Sequence, residues 1–169
     1  QTDLLDMALR FNPDYIVVGE MRGAEADAAQ EAARTGIAVV TTIHAMSCQA
    51  TYSRMVSLCK RAVDTPDAIL MDYVTEAFPL VVYCKQLENR QRRVMEIMEC
   101  EILPDSTRNF RPLFQYDVTE NRIENDRFII NGHHTAVQSI SPSLRRRLIE
   151  NGMPREALNR ILRMGGEAA

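Results

Sequence analysis

Two short apolar runs separated by an alanine-rich segment constrain this chain more than anything else in it. Tyr15 to Val18 (YIVV) and residues 37–43 (IAVVTTI) show little polar alternation. Each is therefore expected to be a short strand buried on both faces, the pattern of a parallel sheet. Parallel neighbours need a crossover. AEADAAQEAAR at 24–34 supplies it, since alanine favours helix, its small side chain permits close packing on a sheet, and Gly36 stops the helix.

The flanking segments extend the same plan. Residues 2–11 (TDLLDMALRF) put Leu4, Leu5, Ala8 and Leu9 on one helical face, with Thr2 or Asp3 as cap and Pro13 as the stop. Ser47 can cap a helix on which Tyr52, Met55, Val56 and Cys59 fall at i, i+3, i+4 and i+7. A further helix is predicted over 67–77. The order helix, strand, helix, strand, helix with short links is that of an α/β sheet with helical crossovers.

After residue 78 the texture changes. Residues 80–84 (LVVYC), 93–102 (RVMEIMECEI) and 110–118 (FRPLFQYDV) read as strands, with ENRQ at 88–91 turning the first pair. Glu96 and Glu99 among apolar neighbours predict a hairpin with one wet face. Residues 121–126 read as a polar connector, 127–130 as one more short strand, and His133 and His134 in NGHHT as loop residues. Two short helices, SLRRRLIENG and PREALNRILRMG, close the chain around Gly152 and Pro154. The expected organisation is a parallel α/β portion over 1–78, an antiparallel hairpin region over 79–132 and a helical segment over 133–169.

Composition bounds the partners. With 23 acids against 20 bases, a net charge of -3, no global field draws nucleic acid or anionic lipid. Lys60 and Lys85 are the only lysines, so the bases are nearly all arginine, the residue suited to bidentate pairing with carboxylate and phosphate. Arg145, Arg146 and Arg147, with Arg155, Arg160 and Arg163 nearby, raise a nucleic-acid module as one alternative. No aromatic interleaving supports base stacking there, and a solvated or subunit-facing helix surface is the plainer reading. Cys48, Cys59, Cys84 and Cys100 lack metal-ligand spacing and read as reduced thiols of a cytoplasmic protein, with Cys84 opposite about Met95 and out of register with Cys100. No apolar run approaches the roughly 18 residues that span a bilayer.

The chemistry-bearing residues sit where the two strands end. YIVV breaks into Gly19, Glu20, Met21 and Arg22, and the second strand ends in Thr41, Thr42 and His44. The carboxyl ends of parallel strands are where open α/β sheets bind ligands. Glu20 is thus a site candidate by position, against a plain surface pair with Arg22. A histidine at that place is commonly structural, but beside an acid from the neighbouring strand it fits nucleotide hydrolysis, with one strand's carboxylate acting on water or magnesium and the next strand sensing the terminal phosphate.

PDYIVVGEMRGAEA resembles the Walker B segment of the type II and type IV secretion ATPases, and TTIHA resembles their histidine box. ALRFNPD before the first motif and ARTG between the two match in order. LVVYCKQ, RRVMEIMECE and FRPLFQYDV resemble the carboxyl-terminal hairpin of the tight-adherence, or Flp, pilus-assembly branch. The resemblance is sharp over about residues 5–57 and extends more weakly along nearly the whole chain.

The resemblance implies a RecA-like core fragment of a hexameric motor that hydrolyses ATP with Mg2+ at the cytoplasmic face of a membrane, against an inner-membrane platform protein. Glu20 would orient the attacking water and support Mg2+ through water. His44 would lie near the terminal phosphate, and Arg22 and Thr42 would border the nucleotide. Arg10 and Arg54 match recurrent basic positions with structural or inter-subunit roles. Ile37 stands where the family usually has histidine, so no role carries to it. No GxxxxGK[ST] occurs in these residues, and the acidic box expected between that loop and Walker B is absent too. A fragment of a longer motor, inactive by itself, is the expectation. A non-catalytic assembly or regulatory domain on the same fold is the other alternative.

Overall fold

The computed structural model describes residues 2–164, which divide into two compact units between Pro79 and Leu80. The first unit runs α1 (Thr2–Leu9), β1 (Tyr15–Val18), α2 (Glu25–Arg34), β2 (Ala38–Thr41), α3 (Cys48–Cys59) and α4 (Asp67–Ala77). β1 and β2 pair in parallel without a register shift, Tyr15 opposite Ala38 and Val18 opposite Thr41. The Ser47 hydroxyl caps α3 by accepting the Ala50 N–H at 3.0 Å. Ala26, Ala29 and Ala32 on α2 are fully buried, the close packing their size allows, and Tyr52, Leu58, Leu70 and Val74 complete the core from α3 and α4. Each such large apolar side chain contributes about 1.5–3 kcal/mol by leaving water. Arg34 ties α2 to α4, its guanidinium 3.8 Å above the Tyr73 ring and 2.9 Å from Glu76.

The two-sided burial expected of the strands is not found. Ile16 and Val18 are buried, whereas Tyr15 and Val17 are 72% and 75% exposed and Val40 is 58% exposed. Side chains alternate along a strand, so Ile16 and Val18 share the covered face of this sheet. Tyr15, Val17 and Val40 form an apolar face that the described residues leave open to solvent.

The second unit is an antiparallel meander, order β3-β4-β5-β6, of β3 (Leu80–Gln86), β4 (Arg92–Ile102), β5 (Arg108–Glu124) and β6 (Arg127–Ala136), followed by α5 (Pro142–Glu150) and α6 (Arg155–Met164). A bulge at Tyr83/Cys84 sets Cys84 opposite Val94, one residue from the expected partner. No disulfide joins the four cysteines.

Residues 121–124 are not a connector: β5 runs through Glu124, and β6 runs from Arg127 through Ala136 where a strand of four residues was expected. Asn125 and Asp126, at φ 48° and 58°, make a two-residue turn with both centres left-handed, the geometry that matches strand twist in a tight hairpin. Solvated on both faces, these strand ends carry no apolar alternation to betray them. His133 and His134 therefore lie in β6, opposite Asp117 and Tyr116, not in a loop. His134 Nε2 lies 2.9 Å from the Val94 carbonyl oxygen, and its ring meets Tyr116 edge-on at 5.1 Å. Glu99 is not on a wet face with Glu96. Residues three apart in a strand point oppositely, and Glu99 is 2% exposed, accepting hydrogen bonds from the Ser141 N–H (2.9 Å) and the Ser141 hydroxyl. Ser141 in turn caps α5 by accepting the Leu144 N–H at 3.0 Å.

Candidate active site

Because Val18 stands opposite Thr41, β1 and β2 finish level and their next residues leave the sheet side by side. The Thr42 hydroxyl donates to the Gly19 carbonyl at 2.6 Å, and the Met21 N–H donates to the Thr42 carbonyl at 2.9 Å. Met21 is 1% exposed and anchors the turn in the core. Between these two fixed points Glu20 is held with its side chain at the strand ends.

Glu20 meets two bases there. Arg22 Nη2 lies 2.7 Å from Glu20 Oε2, and His44 Nε2 lies 3.0 Å from Glu20 Oε1. The second approach is close but off the hydrogen-bonding direction, so Oε1 is a buried carboxylate oxygen without a hydrogen-bond partner among the described residues. The hydrogen bond from Arg22 holds the Glu20 carboxyl below its ordinary value of 4.5, outweighing the opposing effect of partial desolvation, and the fields of Arg22 and His44 add to it. The same contact raises Arg22. Glu20 is thus a carboxylate whose ionised form is favoured, with Oε2 hydrogen-bonded by Arg22 and Oε1 in contact with His44.

Of the residues singled out in the sequence, Glu20, Arg22, Thr42 and His44 come together. The Thr42 hydroxyl is spent on Gly19. His44 is 87% exposed and reaches Glu20 from the solvent side. Arg10, beyond the end of α1, and Arg54, on α3, are exposed, and no hydrogen bond or ion pair among the described residues ties them to this group. Two residues that sequence reasoning missed belong to it. Glu25 Oε1 accepts the N–H groups of Arg22 (2.7 Å) and Gly23 (3.0 Å), and Arg61 Nη1 donates to the Arg22 carbonyl at 2.7 Å. Glu25 stood inside the Walker B-like string with no role; for Arg61, 39 residues from Arg22, the sequence carried no signal.

The donor set bears on magnesium. No group of three or more His, Cys, Asp or Glu residues among the described residues forms a metal cage. Mg2+ commonly keeps several waters and takes one or two carboxylates beside phosphate oxygens. The Glu20 carboxylate, whose Oε1 lacks a hydrogen-bond partner among the described residues, fits such a role through water.

The profile of the type II/IV secretion system proteins matches residues 1–161. An uncharacterized protein of Methanocaldococcus jannaschii is 30% identical over 143 residues, covering 82% of this chain and 48% of that protein. The competence protein ComGA of Streptococcus pneumoniae is 40% identical over 57 residues, 33% of this chain and 18% of its own length. The chain therefore spans about half or less of these relatives' lengths. Among solved structures, the VirB11 ATPase of the Brucella suis type IV secretion system, in complex with sulphate, superposes with a TM-score of 0.53 at 26% identity over 58% of this chain and 31% of that one. The α/β architecture is thus similar to that of VirB11 over the matched part. With the profile matched over nearly its whole length, this chain belongs to the type II/IV secretion system protein family.

Proposed function

We propose that this chain is the carboxyl-terminal part of the ATPase domain of a hexameric motor that drives pilus assembly, secretion or conjugal transfer. The observation that carries this reading is the pairing of Glu20 and His44, 3.0 Å apart at the level ends of two parallel strands. Family membership and the likeness to the VirB11 ATPase support nucleotide chemistry at that edge. Mg2+ on the nucleotide phosphates would neutralise charge developing on the transferred phosphoryl group.

The chain's own residues then divide the work. With His44 turned off Oε1 toward the phosphate, the Glu20 carboxylate accepts a hydrogen bond from the attacking water and turns the water's lone pair toward the phosphate. Arg22 fixes the rotamer through Oε2, and Oε1 faces His44. His44 approaches from solvent, on the side where a terminal phosphate would enter. Thr42 keeps the strand ends together, and Arg10 and Arg54 serve structure or contacts between subunits.

The rest of the reading concerns the whole motor. The chain contains no GxxxxGK[ST], so the lysine and backbone amides that would hold the phosphates must come from elsewhere in the parent protein. Hydrolysis by the 169 residues alone is expected to be negligible. The ring would act at the cytoplasmic face of the inner membrane on a platform protein, without specific nucleic-acid binding. No helix among the described residues is long and apolar enough to cross a membrane.

The test is ATP turnover by the parent carrying Glu20→Gln, which keeps shape and removes charge. A loss of about 10² to 10⁴ in rate is expected. An unchanged rate would make Glu20 structural, and family-like turnover by the 169-residue chain, lost on Glu20→Gln, would overturn the need for a phosphate loop.

A further inference from the structure

The loop that carries Glu20 is suspended from side chains the catalytic reading does not use. Residues 19–23 turn from β1 into α2 and are held on the sheet side by Thr42 and the buried Met21. On the other side, Glu25 sits in the first turn of α2, where a free carboxylate ordinarily serves its own helix terminus. Here it bends back, and Oε1 accepts both the Arg22 N–H at 2.7 Å and the Gly23 N–H at 3.0 Å. Glu25 is 8% exposed, and a buried carboxylate needs compensation of this kind. Arg61, just past α3, closes the remaining side by donating to the Arg22 carbonyl at 2.7 Å.

The peptide units on both sides of the Arg22 α-carbon are thereby engaged. Its N–H is bound by Glu25, its carbonyl by Arg61, and its guanidinium is left to reach Glu20. Gly23 is shaped for this arrangement. A Cβ there would stand 2.9 Å from Glu25 Oε2, so any larger residue would make the carboxylate shift, and the glycine lets it lie against the loop.

We propose that Glu25 and Arg61 are positioning residues that hold the Glu20–Arg22 loop in its working conformation by clamping the Arg22 backbone from both sides. The inference rests on the reading of Glu20 as the water-orienting acid and adds the two side chains that aim it. Without the clamp the loop still closes on Thr42, but Arg22 is free to swing and Glu20 loses its fixed rotamer. A carboxylate displaced by about 1 Å can cost on the order of 10²-fold in rate.

Two measurements decide it. In the 169-residue chain, amide hydrogen exchange at Arg22 and Gly23 should accelerate about tenfold or more in Glu25→Ala. It should return toward the parent rate in Glu25→Gln, whose amide oxygen can accept the same two bonds. Gly23→Ala, which displaces the carboxylate without deleting it, should also accelerate exchange at these amides if Glu25→Ala proves too unstable to measure. In the parent ATPase, Glu25→Ala and Arg61→Ala should lower kcat by about 10- to 100-fold with KM little changed, and Glu25→Gln should recover most of the loss. Unchanged exchange in Glu25→Ala overturns the clamp. So does a parent-like kcat in Glu25→Ala when Glu20→Gln has lost its rate, and so does a Glu25→Gln variant as impaired as Glu25→Ala. A Glu20→Gln protein that keeps its rate sinks the reading of Glu20 instead, and the exchange measurement then decides the clamp by itself.

Discussion

Thr42 donates its hydroxyl proton to the carbonyl of Gly19 at 2.6 Å, joining the first residues past two parallel strands. That one bond ties together the two segments that carry Glu20 and His44. Glu20 follows Gly19, His44 lies two residues past Thr42, and their side chains meet at 3.0 Å. The loss of this strut is expected to be modest in stability, because Thr42 is exposed. Thr42→Val should cost about 0.5–1.5 kcal/mol and speed amide exchange at Met21, while Thr42→Ser should restore both. Chemical denaturation with residue-resolved exchange checks it, and Met21 protection undiminished in the valine variant would dismiss the strut.

The pH behaviour of Glu20 follows from Arg22. The folded-state value lies below 4.5, chiefly through the Arg22 hydrogen bond, so ionised Glu20 favours the folded form. That contribution is fully present above the unfolded value and is lost as pH falls through the lowered folded value. Arg22→Gln should move the Glu20 midpoint up toward 4.5, as read by carboxyl-carbon NMR. A midpoint unmoved by the substitution would mean another group sets it.

Glu99 and Ser141 join α5 to the sheet of the second unit. Glu99→Ala leaves the buried Ser141 N–H without its acceptor and should destabilise this unit by about 1–3 kcal/mol. Ser141→Ala removes both the helix cap and a donor to Glu99, at a cost of about 0.5–2 kcal/mol for the cap itself. Because the two share a bond, the double variant should lose less than the sum. Strict additivity in urea unfolding would show that they act separately.

The β5–β6 turn offers a substitution of opposite sign. Asp126 sits at φ 58° after Asn125 at φ 48°, so Asp126→Gly, which makes the Asn-Gly pair favoured in this turn, should raise stability slightly. Asp126→Val places a branched side chain in the left-handed region and should lower it by about 1–2 kcal/mol. Thermal unfolding measures both, and equal midpoints for glycine and valine would contradict the turn geometry.

Thiol reactivity should report folding. Cys84 is exposed, whereas Cys48, Cys59 and Cys100 are buried. Burial pushes Cys59 to about 12 and Cys100 to about 11, which suppresses their thiolates near neutral pH. Iodoacetamide on the native chain at pH 8 should label Cys84 first, with the others following on denaturation. Rapid native labelling of Cys59 would be inconsistent with this packing.

What the sequence by itself determined was the local structure and the strand ends at which Glu20 and His44 fall. YIVV and IAVVTTI predicted the parallel strands, Ser47 the α3 cap, and the Walker B-like string put Glu20 at a strand end, because these depend on propensities, caps and spacings within a few residues. Where the determinant is distant or carries no hydropathy, only the tertiary structure decided. The hairpin tip beyond Val118 is solvated strand, so its polarity read as connector and hid His133 and His134 within β6. Glu99 became a buried acceptor because Ser141, 42 residues on, comes to meet it. The level ends of β1 and β2 depend on register, which backbone pairing sets across a crossover. Arg61 reaches Arg22 over 39 residues, by a hydrogen bond that exists only once α3 has packed beside the loop.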